Sequence, residues 1–212
     1  DHRDLHKEYR RQRQMCIRDR WMTSGKGILH KEYHEKNFSK KGGEMQMVQL
    51  WVNLPAKDKM TEPKYQNIEN KDLAKVDLGN GIGSIDIIAG EFEKNKGPAS
   101  SFTPMSLFNV KLNKGKGTSL SFNENHNTGL LIIKGNVIIN NKERAPTNHF
   151  VLFENKGKEF TIKAEDDAEI LVLSGEPIDE PIASYGPFVM NTNDEIKQTI
   201  DDFNSGKFGY LD

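Results

Sequence analysis

The sequence predicts an all-β protein, an antiparallel barrel or jelly roll with one helix at its C-terminus, and three features predict it. Short runs of alternating apolar and polar residues recur between Lys75 and Ser174. Glycine-bearing turns such as Gly79-Asn80-Gly81 and Asn113-Lys114-Gly115-Lys116-Gly117 separate those runs. A helical period enters only near the end, where Ile196, Ile200 and Phe203 share one stripe.

Composition narrows the function classes. A chain of 212 residues makes one large domain or two small ones. With 30 basic and 31 acidic residues, neither a nucleic-acid surface nor a membrane-attracting field is expected. No apolar run approaches the ~20 residues that span a bilayer, and no leader pattern opens the sequence. The single cysteine, Cys16, rules out an internal disulfide framework and fits a reducing compartment, so a cytoplasmic location is expected.

Taken in order, the chain changes texture at Trp21. Residues 1–20 carry basic clusters, no glycine and little periodicity, and Arg10-Arg11-Gln12-Arg13 reads as a solvated tail rather than a nucleic-acid patch. Arg10 to Arg20 resembles a peptide translated from sequencing-adapter DNA, a foreign-looking join in which Cys16 carries no meaning. From Trp21 to about Glu35 the pattern reads strand, turn, strand, with Gly25 and Gly27 at the turn. A polar loop follows to Gly43, and then Met45 to Leu54 alternates strongly enough to predict a strand that Pro55 ends. Ala56 to Gln66 reads as a connecting arm.

The second β-rich stretch begins near Ile68. Strands are predicted over Lys75–Leu78, Ile82–Gly90, Leu107–Leu112, Thr118–Phe122, Thr128–Lys134, Asn136–Ile139, His149–Glu154, Phe160–Ala164 and Ala168–Ser174. The run from Gly129 to Ile139 reads as a hairpin through the core. From Gly186 an extended arm leads into the helix. Asn191, Thr192 and Asn193 all suit its N-cap, Asp194 and Glu195 suit its first turn, and Gly206 suits its stop. The expected role of this helix is structural, packing on the outside of a barrel.

Chemistry concentrates at His30 and Glu32. In an extended segment, positions two apart face the same way, so this imidazole and this carboxylate can meet one ion. Such a donor set suits iron, manganese, nickel, copper or zinc better than calcium. Two donors do not complete a site. His126, in a polar loop, and His149, at a strand start, have no donor partner nearby in sequence and read as a solvated and a hydrogen-bonded histidine.

These residues carry a family resemblance. Trp21 to Glu32, ending in Gly-Ile-Leu-His-Lys-Glu, resembles the segment around the metal site of pirins. Leu50-Trp51-Val52-Asn53-Leu54-Pro55 resembles the strand that follows it. Ser174-Gly175-Glu176-Pro177-Ile178 and Gly186 to Asn193 with the helix beyond resemble the pirin C-terminus.

The resemblance implies a bicupin, two jelly-roll cupin barrels of which the first holds iron(II) on three histidines and one glutamate. His30 and Glu32 match the last two of those ligands. The first two belong to a His-Pro-His-Arg motif that this sequence lacks, and neither His2 nor His6 has the spacing to replace it.

The implied organisation is a foreign-looking segment at 1–20, a remnant of the metal-binding barrel at 21–60, a complete metal-free barrel at 61–185 and an arm with helix at 186–212. The start of the chain resembles a later part of the first barrel, which makes an N-terminally truncated pirin the expectation.

The implied activity is quercetin dioxygenase chemistry on a flavonol-like aromatic substrate. Glu32 then serves as ligand and catalytic base, with Trp21 and Met22 as core packing or pocket lining. With half of its ligands missing, the chain alone is expected to be inactive. The alternative is a redox-sensitive, iron-binding regulatory cofactor that works through a protein partner. Neither direct nucleic-acid binding nor membrane binding is expected.

Overall fold

The computed structural model of the protein describes residues 18–34 and 36–211. The expectations for His2, His6, Arg10 to Arg13 and Cys16 therefore lie outside the described residues. Two compact units divide the chain. One runs from Lys71 to Asp179; the other holds the described residues up to Asn70 and those from Glu180 onward.

The unit from Lys71 to Asp179 is a jelly roll of two antiparallel sheets. Its six-stranded sheet contains β3 (Ala74–Asp77), β4 (Gly83–Ala89), β7 (Met105–Leu112), β9 (Asn127–Lys134), β12 (Phe150–Leu152) and β14 (Ala168–Gly175), ordered β12-β9-β14-β7-β4-β3. Its four-stranded sheet contains β8 (Gly117–Ser121), β10 (Val137–Ile139), β11 (Glu143–Ala145) and β13 (Glu159–Ala164), ordered β11-β10-β13-β8. A small hairpin, β5 (Glu91–Phe92) with β6 (Asn95–Lys96), completes it.

Alternation decides which face is buried. In β7, Phe108, Val110 and Leu112 point to the core; β4 sends Ile85 and Ile87 there, and β14 sends Ile170 and Val172. The opposite sheet answers with Leu120, Val137, Ile139, Phe160 and Ile162 in the same cluster. Phe108 lies fully inside, edge-on to Phe92 at 5.9 Å between ring centroids and tilted to Phe122 at 5.8 Å. Each such side chain contributes about 1.5–3 kcal/mol by leaving water, so this cluster dominates the stability of the unit.

One expectation fails here. The run from Gly129 to Ile139 is not a hairpin. β9 pairs with β12 and β14, whereas β10 pairs with β11 and β13, so the chain crosses between sheets at Gly135-Asn136. Continuous apolar residues on both sides of that turn look alike in sequence whichever sheet each half joins.

The other unit is built differently. β1 (Arg18–Thr23) pairs antiparallel with β2 (Lys64–Glu69), with Trp21 opposite Gln66, so the strand runs across the change of texture at Trp21. A six-residue helix, α1 (Lys36–Lys41), follows the turn region after β1. β15 (Ala183–Tyr185) and β16 (Phe188–Met190) form a hairpin, on which α2 (Asn193–Asn204) packs.

α2 begins as its sequence predicts. The Thr192 hydroxyl accepts from the Glu195 N–H at 3.2 Å, and the Glu195 carboxylate accepts from the Thr192 N–H at 2.8 Å, a reciprocal cap. It ends on Gly206, whose N–H reaches the Phe203 carbonyl while the Lys207 N–H reaches that of Asp202. This double closure, with Gly206 at φ +78°, turns the chain back on itself. Phe208 then returns to Phe203 and Phe188, at 6.1 and 6.3 Å between centroids. Among the described residues no helix is long and apolar enough to cross a membrane.

Two predicted strands are absent. Met45 to Leu54 and the stretch after Gly27 are irregular backbone. In the first, Met47 is 60% and Trp51 66% exposed, and the face of Val48, Leu50 and Val52 is open as well. An alternating pattern describes which residues a strand could bury, but a strand exists only where a neighbour takes its N–H and C=O groups. Among the described residues, no strand pairs with Met45 to Leu54.

Candidate functional site

The segment that carries His30 and Glu32 is fixed at its start. A tight turn follows β1, in which the Gly27 N–H donates to the Ser24 carbonyl at 3.0 Å. Gly25 and Gly27 both have positive φ, +51° and +117°. Both also lie where a side chain has no room. A Cβ on Gly25 would sit 2.0 Å from the Thr61 carbonyl oxygen, and one on Gly27 would sit 2.3 Å from the Phe208 ring. The Lys26 N–H donates to the Thr61 carbonyl at 2.9 Å, and its ammonium pairs with the Glu62 carboxylate. The turn is thus held against Thr61 from one side and Phe208 from the other.

Beyond the turn the chain runs through Ile28 and Leu29, both half-buried, to His30. His30 and Glu32 are exposed and flank the half-buried Lys31. Trp21 and Met22, on β1, are half-buried. Among the described residues no three histidine, cysteine, aspartate or glutamate side chains converge as a metal site. His30 and Glu32 therefore do not amount to a complete site with any third described donor. A stable iron site needs more ligands than these two.

A polar cluster around one buried lysine lies beside the turn's support. Lys59, only 5% exposed, donates its ammonium to Asn53 Oδ1 at 2.7 Å. Burial holds its pKa below the usual lysine value, against the opposing pull of the Glu180 and Glu195 charges. Glu180 accepts from the Ala56 N–H at 2.6 Å and from Asn191 Nδ2 at 3.1 Å. Glu195 is held below the usual carboxylate range by the N–H groups of Asn191 and Thr192. The Glu180 carboxylate thereby ties Ala56 to Asn191, within the field of the Lys59 ammonium.

Sequence reasoning missed this support. Lys59 looks like any of the chain's other lysines, and Phe208 lies beyond the last helical residue. The available signal was the close pair Gly25 and Gly27, since two glycines bracketing one lysine in a strand-like run mark a close backbone approach.

The jelly-roll unit holds its histidines apart. His126 is half-buried, with Nδ1 3.3 Å from the Ser174 hydroxyl, which lies 3.0 Å from that of Thr128. His149 is exposed, with Nδ1 3.2 Å from the Thr147 carbonyl. Thr128, Ser174 and Asp86 are the buried polar side chains described in this unit, and the rest of its buried side chains are hydrocarbon.

Comparison with known proteins adds to this geometry. Residues 107–209 match the Pirin C-terminal cupin domain, and residues 1–52 match Pirin. A Pseudomonas aeruginosa protein provisionally named as a quercetin 2,3-dioxygenase is 40% identical over 89% of this chain and 65% of its own length. A pirin-like protein of Solanum lycopersicum is 35% identical over 90% of this chain and 64% of its own. The crystal structure of a quercetin 2,3-dioxygenase from Acinetobacter baumannii superposes with a TM-score of 0.88 at 44% identity, covering 91% of this chain and 67% of that one. The chain thus spans about two thirds of the length of the relatives it matches.

Proposed function

This chain belongs to the pirin family of cupin proteins, and from that premise we propose that it is part of an iron-dependent bicupin that oxygenates a flavonol such as quercetin. The observation that carries the reading is the pair His30 and Glu32, exposed on either side of half-buried Lys31 in a segment pinned at Gly25 and Gly27. Relatives named for quercetin 2,3-dioxygenase activity support it.

On this reading His30 and Glu32 are two of the metal donors, and the remaining donors lie outside the described residues. Iron, when bound, supplies redox chemistry towards dioxygen. Manganese, nickel, copper and zinc tolerate the same donors. Glu32 also takes the proton of the substrate hydroxyl, for which its exposed carboxylate is suited.

Quercetin-dependent dioxygen uptake tests the proposal in an iron(II)-supplemented protein that joins this chain to the upstream part of a pirin barrel carrying the His-Pro-His-Arg motif. His30→Ala and Glu32→Gln should each lower the uptake at least tenfold. Uptake that neither substitution changes overturns it.

A further inference from the structure

The stretch from Met45 to Leu54 alternates in sequence as a strand does, yet its backbone is irregular and its large apolar side chains up to Val52 are exposed. Among the described residues, none from Met45 to Val52 makes a hydrogen bond. Unpaired backbone of this kind offers its N–H and C=O groups to a strand that fits beside it. Sheet edges are ordinarily guarded by lysine, proline or an inward charge. Here Glu44 and Lys57 bound the stretch, no charged residue lies between them, and the only proline, Pro55, stands at its end.

We propose that Met45 to Leu54 is a self-recognition strand, through which two copies of this chain pair antiparallel about a two-fold axis at Gln49. The residues themselves specify a second copy as the occupant. With the axis at Gln49, Val48 of one copy faces Leu50 of the other, Met47 faces Trp51, Gln46 faces Val52 and Met45 faces Asn53. One face then carries two Met–Trp contacts on either side of paired Gln49 amides, and the other carries two Val–Leu pairs. Between Glu44 and Leu54 that register sets no charge against a like one. Moving the axis to Leu50 sets Trp51 against Gln49 and brings Pro55, which has no N–H, opposite Met45; moving it to Val48 sets the Glu44 charge against Val52. A ladder of this length offers fewer residues than the roughly 20–30 a side of a standard interface. The dimer is therefore weak, with a Kd of about 10–100 μM.

Sedimentation equilibrium of the whole chain, from about 1 to about 300 μM, tests this. Gln49 is exposed, so a charge placed there leaves the fold intact. Gln49→Lys and Gln49→Glu each set like charges face to face and should weaken dimerisation about fivefold, the upper range for a cross-strand pair. An equimolar mixture of the two variants should recover a heterodimer at least as tight as the wild-type pair, because lysine then faces glutamate. The proposal is overturned by a wild-type chain that stays monomeric throughout, by a dimer that neither substitution weakens, or by a mixture no tighter than either variant alone. A monomer whose amides from Gln46 to Val52 are protected from hydrogen exchange overturns it too, since the stretch is then covered from within its own chain. None of these outcomes bears on His30 and Glu32, which the uptake assay decides.

Discussion

Replacing Lys59 by methionine tests the polar cluster around that buried ammonium in the smaller unit. Methionine keeps most of the apolar stem and removes only the ammonium. Asn53 Oδ1, on a half-buried side chain, loses its 2.7 Å partner, which costs up to about 3 kcal/mol, the upper end for a buried acceptor left unpaired. Breaking a fully buried ion pair can cost about 3–5 kcal/mol. That figure is an upper bound here, because Glu180 keeps Ala56 N–H and Asn191 Nδ2, and Glu195 keeps the N–H groups of Asn191 and Thr192. Relief of the lysine's desolvation works in the opposite direction. The expected net loss at neutral pH is about 1–3 kcal/mol.

The pH dependence separates the causes. Because burial depresses the folded pKa of Lys59 below its ordinary 10.5, the unfolded chain binds more protons between those two values. Wild-type stability therefore gains relative to Lys59→Met as pH rises through that window. Both tryptophans, Trp21 and Trp51, lie in the smaller unit, so urea titrations followed by tryptophan fluorescence at pH 7 and near pH 10 read it directly. A difference that shrinks as pH rises would show that attraction to Glu180 and Glu195 outweighs burial, and would refute the reasoning.

Three further outcomes follow from the same structure. Thr192→Ala removes the hydroxyl that caps α2 and should cost about 1 kcal/mol, measured by the same urea titration. The carboxyl of Glu195 is held below its ordinary 4.5 by two backbone N–H groups; its contribution is complete above that value and is lost as pH falls through the folded pKa. Amide exchange at Asn191 and Thr192, corrected for intrinsic rate, should therefore rise below pH 4.5, and Glu195→Gln should abolish the dependence. Phe108→Ala, at a side chain with no exposure, should destabilise the jelly-roll unit by about 3–5 kcal/mol, seen as a lower urea midpoint by circular dichroism.

Much of the jelly roll was legible because each of its strands buries one face. β4, β7, β9, β13 and β14 fall within a few residues of their predicted spans, since the alternation that marks them is the alternation that packs them. The smaller unit obeyed a different rule. Lys64–Glu69 forms β2 although its sequence, Lys-Tyr-Gln-Asn-Ile-Glu, offers no apolar face, because β1 supplies its hydrogen-bond partner. Met45 to Leu54 has the better pattern and forms nothing, having no partner among the described residues. Pattern reports what burial would reward, and pairing decides whether the strand exists.

The site divides in the same way. As proposed donors, His30 and Glu32 come from spacing and from the pirin-like frame around them. The supports of the turn before them could not be read that way, because Thr61 and Phe208 reach Gly25 and Gly27 from far along the chain. The helix was the easiest element to read: Thr192, Glu195 and Gly206 act locally, and each stands where capping chemistry places it.

Addition of manganese(II) to the chain, followed by the line widths of assigned histidine and carboxylate resonances, tests the central proposal most directly. His30 and Glu32 should broaden first and together, and His30→Ala should remove the effect at Glu32. Broadening spread over the acidic residues of Lys71–Asp179, with His30 left sharp, would contradict it.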